Sequence, residues 1–94
     1  MIVRIMTEGQ YRLTDDVRAR VNDLDNRCVE AVERGDEPAF HAIFEELLAL
    51  IHAEGEALPD DDLEGSDVLV PPPDTSFAEA AADFSGEGLI PDSP

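Results

Sequence analysis

Between residues 14 and 55 the chain runs through two successive stretches of helical hydrophobic periodicity. In the first, Val17, Val21, Leu24, Cys28 and Ala31 recur at spacings of four, three, four and three, and Val32 widens the stripe, which together make one face of an α-helix. Arg18, Arg20, Asp23, Asp25, Arg27, Glu30, Glu33 and Arg34 fall on the opposite face, to be read as solvated. Thr14 suits an N-cap, Asp15 and Asp16 place carboxylates in the first turn against the helix dipole, and Arg34 followed by Gly35 is a stop signal. The pattern predicts a helix over residues 15–34, roughly 30 Å long at 1.5 Å per residue.

A second helix starts at once. Asp36 offers a cap, Pro38 sits in the first turn where its missing N–H costs nothing, and Gly55 follows the last apolar turn. Phe40, Ile43, Phe44, Leu47, Leu50 and Ile51, with Leu48 at the margin, form a wider stripe than that of the first helix. A wide stripe needs two neighbours: the first helix, antiparallel because the turn at Gly35 and Asp36 is so short, and the N-terminal β segment.

The flanks read as strands and one short helix. Residues 2–6 and 10–13 predict a β-hairpin whose three-residue loop is Thr7, Glu8 and Gly9, with Gly9 left-handed. That register pairs Ile5 with Tyr11 and Val3 with Leu13 on the buried face, and sets Arg4 opposite Arg12 on the outer face. The two arginines are the only basic spot the pattern suggests. They are either a partner-binding site or neutralised by the chain's own acids, with Glu64 and Asp67 as candidates. After Gly55, Leu58, Pro59 and the run Asp60, Asp61, Asp62 read as a polar turn. Residues 67–70 are a strand candidate, stopped by Pro71, Pro72 and Pro73, that would extend the hairpin to a third strand. Asp74 or Thr75 caps a third helix to about Phe84, with Phe77, Ala80, Ala81 and Phe84 as its stripe and Gly86 and Gly88 ending it. Residues 89–91 are expected to dock an extended end on the core. The expected fold is α+β: an N-terminal β-hairpin, with that third short strand available, packed on an antiparallel helical hairpin and followed by a short C-terminal helix. It forms one domain over residues 1–91, with a frayed acidic tail at 92–94.

Charge sharpens this picture. The formal net charge is −17; all six basic residues are arginines lying within residues 4–34, where seven acids offset them, and from Gly35 onward there are sixteen acids and no arginine or lysine. Such a surface repels phosphate backbones and anionic headgroups, which argues against nucleic acid or the membrane surface as a direct partner. Abundant acids without lysine suggest adaptation to high salt, as in a halophilic archaeon, with a GC-rich bacterium as the plainer source. The halophile reading predicts a fold that gains stability in molar KCl as screening relieves self-repulsion. The single cysteine, Cys28, lies on an apolar stripe and reads as a buried structural thiol. The opening residues carry no signal-peptide pattern and no stretch approaches a membrane span, so the expected setting is cytoplasmic.

Candidate chemistry is thin. Residues 60–71 superficially resemble a calcium loop, with Asp60, Asp62 and Glu64 at alternating ligand positions and Gly65 at the turn. Pro71 then stands where a bidentate glutamate is needed and Asp67 where an apolar residue is usual, so an acidic solvated loop is the better reading. His41 and His52 are eleven positions apart on one helix, roughly 16 Å, and do not share a metal ion. No nucleophile elbow, phosphate-binding glycine loop or thiol cluster occurs. The residues themselves therefore name no catalytic group, cofactor or metal ligand. A carboxylate-rich metal-dependent hydrolase remains the alternative of a different class.

The chain as a whole resembles the small PspA-associated family called PspAA, found in archaea and actinobacteria. The opening Met1-Ile-Val-Arg-Ile-Met-Thr-Glu-Gly-Gln-Tyr-Arg-Leu13 carries the resemblance most specifically. Gly35-Asp36-Glu37-Pro38-Ala39-Phe40, Leu58-Pro59-Asp60-Asp61, Ser66-Asp67 and Gly88-Leu89-Ile90-Pro91 continue it. The resemblance implies a non-catalytic adaptor for PspA-type proteins, the helical membrane-remodelling scaffolds of the envelope stress response. It implies recruitment to the membrane periphery through that partner and supplies no catalytic residues. Arg4 and Arg12, or the helix-hairpin surface, are the expected contact regions, and pairing of two copies into a four-helix arrangement is compatible with this.

Overall fold

In a computed structural model, residues 1–6, 8–59 and 68–84 are described. The order of elements is β1 (Ile2–Ile5), β2 (Gly9–Arg12), α1 (Asp15–Arg34), α2 (Glu37–Glu54), β3 (Glu56–Leu58), β4 (Val68–Val70) and α3 (Phe77–Asp83). Residues 60–67 of the acidic segment that superficially resembles a calcium loop, with the candidate counter-charges Glu64 and Asp67, and everything from Ser85 onward lie outside the described residues.

Local chemistry sets the helix ends. Thr14 Oγ1 accepts from the Val17 amide at 3.3 Å and opens α1. The helix closes on Gly35, whose φ of 69° is left-handed; its amide donates to the Val32 carbonyl and that of Asp36 to the Ala31 carbonyl, at 3.0 and 2.9 Å. This Schellman arrangement turns the chain so sharply that Asp36, accepting from the Ala39 amide at 3.2 Å, already caps α2. The two long helices consequently run antiparallel. Ser76, and neither Asp74 nor Thr75, caps α3, with Oγ accepting from the Glu79 amide at 3.2 Å.

The strands form one sheet in the order β3-β2-β1-β4, antiparallel except that β4 lies parallel to β1. The expected third strand is thus β4, and β3 is a strand the sequence reading did not include, its last residue Leu58 falling where the polar turn of residues 58–62 was expected to begin. The β1–β2 register also differs from expectation. Val3 faces Tyr11, Ile5 faces Gly9, Arg4 faces Gln10 and Arg12 faces Ile2. The shift is two residues, so each side chain keeps its expected face while its partner changes. The physical gain is electrostatic: Arg4 no longer opposes Arg12, which instead faces Glu56 of β3. Gly9 has the expected positive φ, 111°, but lies within the paired strand.

The helical hairpin covers the inner face of the sheet. Val3, Ile5, Leu13, Val68 and Val70 bury against Val17, Val21, Cys28, Phe40, Phe44, Leu47, Leu48 and Ile51. α3 closes the end of this layer, adding Ala80 and Phe84; Phe84 meets Phe40 and Phe44 edge-on at 5.3 and 5.7 Å between ring centroids. α2 returns to the sheet through Gly55 alone. A Cβ there would come within 2.5 Å of the Ile51 carbonyl oxygen and 3.2 Å of both Leu13 and Tyr11, so glycine is required by space.

One side chain departs from its expected face. Asp25 is fully buried, together with Val29, because α1 turns the row Val17, Val21, Asp25 and Val29 inward. Leu24 and Val32, expected in the stripe, are only half-buried. Cys28 lies in this interior, where desolvation, and secondarily the Asp25 charge, push its thiol from its ordinary value of 9.0 up to about 12. It is an inert packing group at neutral pH.

Candidate functional site

Three places on the described surface combine chemistry with exposure. The first is the outer face of the sheet. Arg4 and Arg12 both lie on it, exposed, but the register places them as diagonal neighbours on adjacent strands. Arg12 stands across from Glu56, whereas Arg4 is flanked by Gln10 on β2 and Leu69 on β4. Leu69 is 54% exposed and nearby Met6 45%, while Ile2 on the same face is buried. The two arginines therefore share a face without forming one compact cationic site.

The second is a chain of hydrogen bonds that the sequence did not announce. Tyr11 Oη and His52 Nδ1 are hydrogen-bonded at 3.0 Å, and His52 Nε2 contacts Glu8 Oε1 at 3.2 Å. In the neutral ring these contacts select the Nε2–H tautomer, which accepts from tyrosine and donates to the carboxylate. The rings of Tyr11 and His52 also meet edge-on, 5.2 Å apart. A carboxylate, an imidazole and a hydroxyl in this order can move a proton. With the His52 and Glu8 side chains 38% and 31% exposed, the contacts act as a clasp between the β1–β2 turn and the last turn of α2. His41 is engaged separately, edge-on to Phe40 at 5.4 Å. Among the described residues no group of three His, Cys, Asp or Glu side chains is placed to hold a metal ion.

The third is a groove on the side of the helical hairpin turned away from the sheet. Asp16, Ala19, Arg20, Asp23 and Leu24 of α1 form one wall and Glu46, Ala49 and Leu50 of α2 the other of a shallow, open groove of about 720 Å³. Ala19 and Ala49 are exposed, and Leu24 and Leu50 are half-buried against the core. Arg20 is ion-paired to Glu54 across the two helices, and Arg27 pairs with Asp23 one turn away at 3.2 Å. The periodicity counted Leu24 and Leu50 as core positions; that they also form an outward groove was legible only in the width of the α2 stripe.

The fold is that of a small α+β protein whose helical hairpin packs one face on the sheet and leaves an apolar groove on the other. The particular family follows from comparison with known families. The family model of the PspA-associated protein, PspAA, matches residues 1–92, and the chain belongs to that family. No curated protein and no solved structure gives a significant match. Among the described residues no helix is long and apolar enough to cross a membrane.

Proposed function

We propose that this protein is a non-catalytic adaptor that docks on a PspA-family scaffold and modulates its assembly or its access to membrane. The observation that carries this reading is membership of the PspA-associated family over residues 1–92. Two physical features support it. The fold exposes apolar surface on a rigid helical layer, which suits a protein contact. The net charge of −17 disfavours direct adhesion to anionic lipid, so recruitment to the membrane periphery from the cytoplasm runs through the partner. Arg4 and Arg12 provide a basic contact for acidic groups of that partner on the outer sheet face. The acid excess fits work at high ionic strength.

The test is affinity purification of the tagged protein from its own host at native ionic strength, followed by mass spectrometry. Enrichment of a PspA-family protein over a charge-matched control is the expected result. Absence of enrichment, with the bait folded and the PspA-family protein abundant, would overturn the adaptor reading.

A further inference from the structure

The groove between α1 and α2 is apolar at its floor and acidic at its lips. We propose that it is the docking site for a single amphipathic α-helix of a partner protein, one whose apolar stripe is flanked on both sides by lysine or arginine. The assignment rests on the adaptor reading above and gives it a surface.

Size comes first. From Asp16 to Leu24 the α1 wall spans nine residues, about 12 Å along the axis, or two turns of a guest helix. Ala19 and Ala49 keep the walls low, so a guest backbone approaches closely, and Leu24 and Leu50 offer the contacts an i, i+3/i+4 stripe would fill. Charge then selects the guest. Arg20 is held by Glu54 and Asp23 by Arg27, whereas Asp16 on one wall and Glu46 on the other have no ion pair among the described residues. Each lip therefore carries an uncompensated carboxylate. A second copy of this chain would bring the same acidic lips against themselves across a two-fold axis, with −17 on each partner. A helix flanked by cations answers both lips at once. Exposed ion pairs add little energy, so affinity resides in the apolar stripe and charge decides which helix is accepted.

The test uses the full-length protein and two synthetic helical peptides with one leucine stripe, flanked in one by lysines and in the other by glutamates. Each is titrated by fluorescence anisotropy, with the host's PspA-family protein titrated in parallel. The lysine peptide is expected to bind at least about ten-fold more tightly than the glutamate peptide. Glu46→Lys, an exposed change remote from the core, should weaken the lysine peptide and the PspA-family protein by a similar factor without lowering the melting temperature. Equal affinity for both peptides, or binding indifferent to both Glu46→Lys and Leu50→Ala, overturns the proposal. If variants that have lost the lysine peptide still bind the PspA-family protein normally, the groove is not its site and the adaptor reading survives. If the lysine peptide binds and the PspA-family protein does not, the groove stands and the adaptor reading falls. Two further results would also overturn the proposal. A dimer in sedimentation velocity that the lysine peptide dissociates makes a second copy the occupant. Slow thiol labelling of Ala49→Cys in the free monomer makes the chain's own residues the cover.

Discussion

The two faces of the helical hairpin are made from the same two helices, yet they end in different states. The inner face places Phe40, Phe44, Leu47 and Ile51 against Val3, Ile5 and Val70, and every one of these is buried. The outer face interrupts its leucines with Ala19 and Ala49 and borders them with Asp16, Asp23 and Glu46, and it stays open. What separates them is side-chain size and charge as much as the neighbour: large apolar side chains on the inner face meet the sheet, while small and charged ones outside leave a channel that the described chain does not fill. The wide apolar stripe of α2 thus leaves surface open beyond the core, and that surface is the one proposed to bind a partner helix.

Removing a ring from the inner face should do the most damage. Phe40 stacks on Phe44 at 5.5 Å and meets Phe77 and Phe84 edge-on. Phe40→Ala should cost about 3–5 kcal/mol by urea unfolding, enough to leave little folded protein. Next is the alkaline limb. Cys28 keeps its proton in the folded state up to about 12, whereas the unfolded thiol releases it above its ordinary 9.0. The unfolded state therefore binds fewer protons in that window, so stability is intact below pH 9 and falls as pH rises toward 12, by roughly 4 kcal/mol at most. The chain has no lysine to crowd the window. Cys28→Ala should flatten the slope in melting curves taken from pH 8 to 11.

Gly55→Ala should cost about 1–3 kcal/mol, since the added methyl strikes the Ile51 carbonyl and two side chains at the corner between α2 and β3. A melting temperature equal to the parent's would show that this corner yields. On the outer face the scale drops. Leu50→Ala, half-buried at the groove, should cost about 1 kcal/mol while weakening partner binding. Glu46→Lys should leave thermal stability unchanged and alter binding alone. The two faces are distinguished if stability and binding separate in this manner.

Much of the fold was legible because its determinants are local. Thr14, Arg34-Gly35 and Asp36 bracket α1 and the start of α2 by capping chemistry, and the structure begins and ends α1 at the expected residues. The sheet was legible by face but not by partner: alternation fixes which side Val3 and Ile5 take, whereas a two-residue slip preserves alternation and is settled by Arg12 meeting Glu56. β3 was missed because Glu56, Ala57 and Leu58 have little intrinsic strand character and are held extended by pairing with β2. Asp25 was misplaced because residue type outweighed position, although its spacing of four from Val21 and Val29 marks the buried row. At the candidate site, Leu24 and Leu50 were visible as apolar positions. The clasp of Glu8, His52 and Tyr11 was not, since it joins residues up to 44 positions apart that carry no shared motif.

The most direct test of the account is a thiol footprint of the groove in a complex. Because Cys28 is buried and its thiol is held protonated, Ala49→Cys supplies the one reactive thiol, at an exposed position between the two helices. The alkylation rate is measured at neutral pH in the free protein and again with saturating PspA-family protein. Fast labelling is expected in the free state and strong protection in the complex, with Glu46→Lys shifting the protection to about ten-fold higher partner concentration. An unchanged labelling rate in a complex shown by co-elution to have formed would contradict the account, placing the contact elsewhere on the molecule.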